Sequence, residues 1–333
     1  MSGAKPAFTS SHFKIMALAT LVLSALLALA IAVSLGSVSV SSADLWQVLQ
    51  GGGSPLQQTL IMELRLPRAA AAFATGGLLA VAGALMQVLL RNPLADPYVL
   101  GLSGGAAVGA LMAMLMGLGA TAVSGSAFAG AVLSATLVFG LAHGTGSWTP
   151  TRLLLTGVVV ASGWGAVITF MLAVGPTEQL PGMLYWLMGD LAYARSPWPA
   201  LITLIVVSLF LLPLGRSLNV LARGSLQAAA LGVPVRQLEW TVYIGASLLT
   251  AFAVTTAGSI GFVGLIIPHM LRLVLGNDQR IILPASALAG GTLLTLADTL
   301  ARTIIAPQQL PAGVITAMIG VPSFLILLYR SRG

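Results

Sequence analysis

Few side chains in this 333-residue sequence can do chemistry: 15 Lys+Arg, 8 Asp+Glu, 3 histidines and no cysteine. Without cysteine there is no disulfide, no thiolate nucleophile and no Cys-ligated metal. The only lysines are Lys5 and Lys14. A phosphate-binding loop of the Walker type needs a lysine directly after its glycines, and neither lysine follows such a loop. If ATP drives this protein, another subunit must hydrolyse it. Ion-coupled carriers use buried acids or histidines as relays. The apolar stretches offer only Asp298 near the end of one, His143 near the end of another, and His269 beside Pro268. Each is expected to be a structural hydrogen-bonding group, which disfavours a proton-coupled carrier. Gly101-Leu102-Ser103-Gly104 matches the G-x-S-G pattern of intramembrane serine proteases. That serine needs a base within hydrogen-bond reach, and His143 and His269 are the candidates. Close helix packing explains the glycines equally well. No His, Met or Tyr cluster marks a metal or haem ligand site.

The elements that position these groups are apolar helices. The chain is 57% hydrophobic and 7% charged, against about 25% charged in soluble domains, and its mean hydropathy is +0.99. An ordinary soluble domain is excluded. An outer-membrane barrel is excluded too, because its strands alternate apolar and polar residues over about ten positions. The class is an all-α polytopic membrane protein, one transmembrane domain over residues 1–333. The net charge of +7 is scattered singly between apolar runs, which marks cytoplasmic loops rather than a nucleic-acid surface.

Residues 15–40 form a run too long for the apolar core of a signal peptide, so they are expected to be an uncleaved first span. Residues 41–64 are expected to be an outer loop. Ala69–Leu90 carries no charge, and some twenty such residues at about 1.5 Å each cross a hydrocarbon layer of about 30 Å. A polar turn, Arg91-Asn92-Pro93-Leu94-Ala95-Asp96-Pro97, follows it. Residues 97–151 fit two spans broken near Gly117-Leu118-Gly119, and residues 152–175 fit another. Leu180–Leu191 reads as an amphipathic outer segment, and residues 197–214 as the sixth span. Residues 216–236 read as a short cytoplasmic helix. The run 240–270 breaks in two at Gly258–Gly264, and residues 281–296 and 310–328 complete ten spans. This orientation leaves only Arg65, Arg68, Arg195 and Arg302 outside. Lys5, Lys14, Arg91, Arg152, Arg216, Arg223, Arg236, Arg272, Arg280, Arg330 and Arg332 fall inside, the expected bias. Arg65, Arg68 and Arg302 then read either as snorkelling anchors or as a basic docking surface for an acidic partner.

Four stretches, RLPR, GALMQVLLRNPLADPYVLG, GFVGLIIPHMLRL and LPAGVITAMIGVPSFLILL, stand in order between Arg65 and Leu328. Together they resemble the FecCD family, permease subunits of ABC importers for ferric siderophores, haem and vitamin B12. The resemblance implies a type II ABC importer permease fold of about ten transmembrane helices in a bacterial inner membrane, with both termini cytoplasmic. It implies a homodimer, two cytoplasmic ATP-binding subunits that carry ATP and Mg, and a periplasmic substrate-binding protein. The permease itself would bind no cofactor. Arg65, Arg68 and Arg302 occupy the positions that dock the binding protein. Gly224, Ala229, Leu231 and Gly232 lie at the core of the ATPase-coupling segment, where the family often has an acidic residue in place of Ser225. Asn92, Leu94, Pro150 and Thr151 occupy the cytoplasmic gate, and spans five and ten line the path between the two copies.

Overall fold

The computed structural model describes residues 11–36, 40–143, 149–194 and 196–330. Lys5, Arg195 and Arg332, used above to orient the chain, lie outside the described residues. Among the described residues there are thirteen helices and no strand. They are α1 (Ser11–Ser34), α2 (Ser42–Leu49), α3 (Pro55–Leu89), α4 (Leu102–Leu115), α5 (Ala120–His143), α6 (Pro150–Val174) and α7 (Leu180–Met188). After these come α8 (Trp198–Leu221), α9 (Ser225–Ala230), α10 (Val235–Ala257), α11 (Val263–Leu275), α12 (Gln279–Thr303) and α13 (Ala312–Arg330). Seven of them, α1, α3, α5, α6, α8, α10 and α12, are long and apolar enough to cross a membrane. Three more, α4, α11 and the described part of α13, are shorter apolar helices.

The outer loop expected over residues 41–64 is helical instead. Two capping boxes explain why. Ser41 accepts from the Asp44 N–H at 3.1 Å while the Asp44 carboxylate accepts from the Ser41 N–H, which starts α2. Ser54 and Gln57 repeat the exchange, and Pro55 occupies the first helical position of α3. Both pairs follow the S-x-x-D/Q pattern that satisfies orphan donors at a helix start. So α3 begins well before Arg65 and runs for 35 residues.

Helix α3 is the core of the bundle: 89% of its most apolar window is buried, against 17% for α1 and 11% for α6. Helices α12, α10, α11 and α8 pack around it. Two crossings depend on missing side chains. A Cβ on Gly76 would overlap the Gly290 carbonyl of α12, and a Cβ on Gly83 would overlap the Gly264 carbonyl of α11. The backbones therefore touch there, as small residues permit between membrane helices.

The breaks expected at Gly117–Gly119 and Gly258–Gly264 are present, between α4 and α5 and between α10 and α11. Helix α11 has 13 residues, about 20 Å, so part of its crossing is non-helical backbone, which needs partners inside the protein. It has them. The Ile260 N–H donates to the Tyr98 hydroxyl at 3.1 Å. Tyr98 belongs to the matching irregular stretch before α4, a 3-10 turn over Pro97–Leu100 ended by Gly101 at φ 69°. The Gly101 carbonyl accepts from Ser134, whose oxygen accepts from the Trp164 indole N–H. The two broken segments thus satisfy one another and a neighbouring helix.

Candidate functional site

At the outer end, the sequence stretch Arg65-Leu66-Pro67-Arg68 on α3 meets the last turns of α12. Asp298, 1% exposed, accepts from Arg68 Nη2 at 2.8 Å and Nε at 3.1 Å and from Arg302 Nε at 3.0 Å. Asp190, after α7, lies 3.5 Å from Arg68. Its carboxyl is pushed up by burial and drawn back by the Ala192 N–H and by Arg68. Arg65 and Arg302 are 5% and 6% exposed. Arg65 donates to the carbonyls of Val33 at 3.0 Å and Ser34 at 2.8 Å, and Arg302 donates to that of Ala32 at 3.2 Å. These are carbonyls at the end of α1, without partners in their own helix and at the negative pole of its dipole. The three arginines border one cavity of about 390 Å³ with Glu63 and Gln309. All three are hydrogen-bonded within the bundle. Arg65 and Arg302 fasten α1 to α3 and α12, and Arg68, more exposed, faces the cavity and donates to Gln309 at 3.1 Å.

At the opposite end, helix α9 stands out from the bundle. It starts at Gly224, whose φ of 132° favours glycine, and ends at Gly232, with φ 78°. Ala228 is its buried contact. Leu226 and Leu231 point outward, 87% and 72% exposed. Leu231 stands among the residues singled out from the sequence; Leu226 does not. Its signal is a leucine on a six-residue helix with one buried position, and that is legible only once the buried face is known. Asn92 folds the turn after α3, where its side-chain oxygen accepts from the Leu94 N–H at 2.9 Å. Pro150 opens α6 behind the Thr149 cap, with Thr151 exposed beside it. No hydrogen bond joins Asn92 or Leu94 to Pro150 or Thr151 among the described residues. Asp278 caps α12, accepting from the Arg280 side chain at 2.6 Å and from Asn219 Nδ2 at 2.8 Å. Those donors hold its carboxyl well below the usual range.

The family model of the FecCD transport family matches residues 22–330. The chain belongs to that family. The permease is 44% identical over 285 residues to the cobalamin import system permease protein BtuC of Halobacterium salinarum, covering 84% of this chain and 76% of that one. It is 38% identical over 327 residues to the hemin transport system permease protein HmuU of Yersinia pestis, covering 94% of each. A solved metal-chelate-type ABC transporter in an inward-facing conformation superposes with a TM-score of 0.81 at 31% identity, over 95% of this chain and 99% of that one. The protein is therefore an ABC transporter permease, a transport component and not an enzyme.

The protease arrangement does not form in this permease. The Ser103 hydroxyl is 3.3 Å from that of Ser259, across the two broken segments. His143 packs, ring tilted, near Phe139 and Trp240 at the far end of α5. No histidine reaches Ser103 among the described residues. Asp298, the acid a carrier would use as a relay, is held between two guanidiniums.

Proposed function

We propose that this chain is the membrane-spanning subunit of an ABC importer that moves an iron chelate, haem or cobalamin from the periplasm to the cytoplasm. The observation that carries the reading is a family match over residues 22–330 joined to a sequence whose only lysines are Lys5 and Lys14. The chain has the transport domain and no phosphate-binding loop of its own. In this reading the three shorter apolar helices also cross, which with the seven long ones makes ten spans. An even number leaves both termini on one side, and the arginine bias supports the cytoplasmic side.

Two copies form the working unit, with the path between them. Helix α6 supports this, since Val159 and Phe170 are 70% and 64% exposed, and so does α13, where Met318 is 67% exposed. Two ATP-binding subunits, which carry ATP and Mg, dock on residues 216–236, with Gly224, Ala229, Leu231 and Gly232 shaping the contact and Leu226 projecting into it. When ATP closes that dimer, α9 transmits the movement, and Asn92, Leu94, Pro150 and Thr151 gate the inner end. Energy comes from differential affinity between the two states. At the outer face, acidic side chains of a periplasmic binding protein meet Arg68, and Arg65 and Arg302 hold the surface that presents it.

The test is uptake into proteoliposomes that hold this chain, its ATP-binding subunit and its binding protein. The substrates offered are labelled cobalamin, haem and ferric siderophores. ATP-dependent accumulation of one of them is expected and names the substrate. Accumulation without ATP or without the ATP-binding subunit would overturn the reading.

A further inference from the structure

A cavity of about 800 Å³ lies at the end opposite the arginine cluster. Four cations from four parts of the chain line it: Lys14 of α1, Arg91 after α3, Arg223 before α9 and Arg272 of α11. None of the four is in an ion pair among the described residues. The acid on its wall, Asp278, is already committed to Arg280 and Asn219. Glu239 feels Arg91 from beyond ion-pair range. Arg272 is part-buried, yet among the described residues its guanidinium donates only to neutral groups, the side-chain oxygen of Gln87 and the Ala84 carbonyl at 3.3 Å. A fixed, partly desolvated cation without a counter-ion is a costly arrangement that an anion relieves.

The surroundings say which anion. Leu273 and Val274 of α11, 65% and 51% exposed, are aliphatic side chains on the wall of the charged bowl, and α1, which brings Lys14 to it, exposes Ile15 and Met16, 63% and 67% exposed, in the same turn. Helix α1, with 17% of its apolar window buried, is among the most lipid-exposed in the bundle. A free phosphate would use the bowl alone. An amphiphile uses both the bowl and the aliphatic rim. Basic pockets between membrane helices at the cytoplasmic side suit the headgroups of acidic lipids. We propose that this cavity holds the headgroup of an anionic phospholipid, with its phosphate against Lys14, Arg91, Arg223 and Arg272 and its acyl chains leaving along Leu273, Val274 and the exposed surface of α1.

The test uses the full chain, delipidated in detergent and titrated with phosphatidylglycerol or phosphatidylcholine of identical acyl chains, with bound lipid counted by native mass spectrometry. Phosphatidylglycerol is expected to bind at least tenfold more tightly than phosphatidylcholine. Each surface cation is worth about fivefold in affinity for an anionic headgroup, so Lys14→Gln with Arg223→Gln should weaken phosphatidylglycerol about 30-fold and leave phosphatidylcholine unchanged. Arg91→Gln, at an exposed turn, gives an independent fivefold step should the double variant fold poorly. Equal affinity for the two lipids overturns the proposal, as does unaltered phosphatidylglycerol binding in the variants. Displacement of phosphatidylglycerol by an equal concentration of inorganic phosphate also overturns it, since the site would then hold an anion without regard to its chains. No ATP-binding subunit enters the experiment, so its failure leaves the importer reading intact.

Discussion

Asp298→Ala should be among the most destabilising single changes in this protein. The carboxylate is 1% exposed and accepts four hydrogen bonds under 3.3 Å, from Arg68 Nη2 and Nε (the latter to both oxygens) and from Arg302 Nε. Removing it loses these charge-assisted bonds and leaves two guanidiniums, with side chains 15% and 7% exposed, facing each other without a shared anion. Removing one partner of a buried ion pair costs about 3–5 kcal/mol, most of it the penalty on the charge left behind. Asp298→Asn keeps an acceptor but not the charge and should cost about 2–3 kcal/mol. If the stranded charges are the cause, deleting them should repair the loss. Arg68→Met, Asp298→Leu and Arg302→Met together should recover part of the loss, because apolar replacement of a buried cluster is often near neutral, while Asp190, 3.5 Å from Arg68, keeps only the Ala192 N–H. Arg302 also caps α1 through Ala32, so a residue of that cost should persist. Reversible unfolding of the purified chain in mixed micelles by SDS, followed by tryptophan fluorescence, measures all three. A loss under 0.5 kcal/mol for Asp298→Ala, or a triple variant no better than the single one, would refute the reasoning.

The glycine crossing at the core gives a second expectation. Gly83→Ala puts a methyl group into the Gly264 carbonyl and should cost about 1–3 kcal/mol or more, whereas Gly125→Ala, with open space at its Cβ, should stay within about 0.5 kcal/mol in the same SDS titration. At the start of α12, Asp278→Ala should cost about 1 kcal/mol at pH 7 as a lost helix cap. The native carboxyl titrates below its unfolded value of about 3.9, so the cap stabilises above that pH and fades as pH falls toward the depressed value; unfolding at pH 7 and pH 3 should show the difference between Asp278→Ala and the natural chain shrinking. Leu226→Asp should leave unfolding within about 0.5 kcal/mol, because the side chain is 87% exposed. It should nevertheless reduce co-purification of the ATP-binding subunit; retention equal to the natural chain would remove Leu226 from the coupling surface.

The parts of this protein that were legible in the sequence are those set by one-dimensional quantities. A charge-free run such as Ala69–Leu90 needs no partner to be recognised as a span, and Gly117–Gly119 and Gly258–Gly264 mark breaks because continuous runs on either side exceed a bilayer. Capping is equally local, yet Ser41–Asp44 and Ser54–Gln57 were submerged in a polar stretch that reads as a loop when only hydropathy is weighed. The partners of the outer arginines were hidden for a different reason. Charge at a span end is compatible with solvent, lipid interface or a buried partner, and what decides is Asp298, 230 positions away from Arg68. Asp298 itself looked isolated for the same reason. Sequence distance also hid the basic cavity, whose four cations come from α1, two interhelical turns and α11, each of which reads singly as an inside-facing charge. In a bundle whose hydrophobic patterning is nearly uniform, helix number and direction follow from composition along the chain. Which charges meet depends on rotation and neighbour choice, and these are fixed here by backbone contacts at Gly76, Gly83, Gly264 and Gly290 that carry no side chain to announce them.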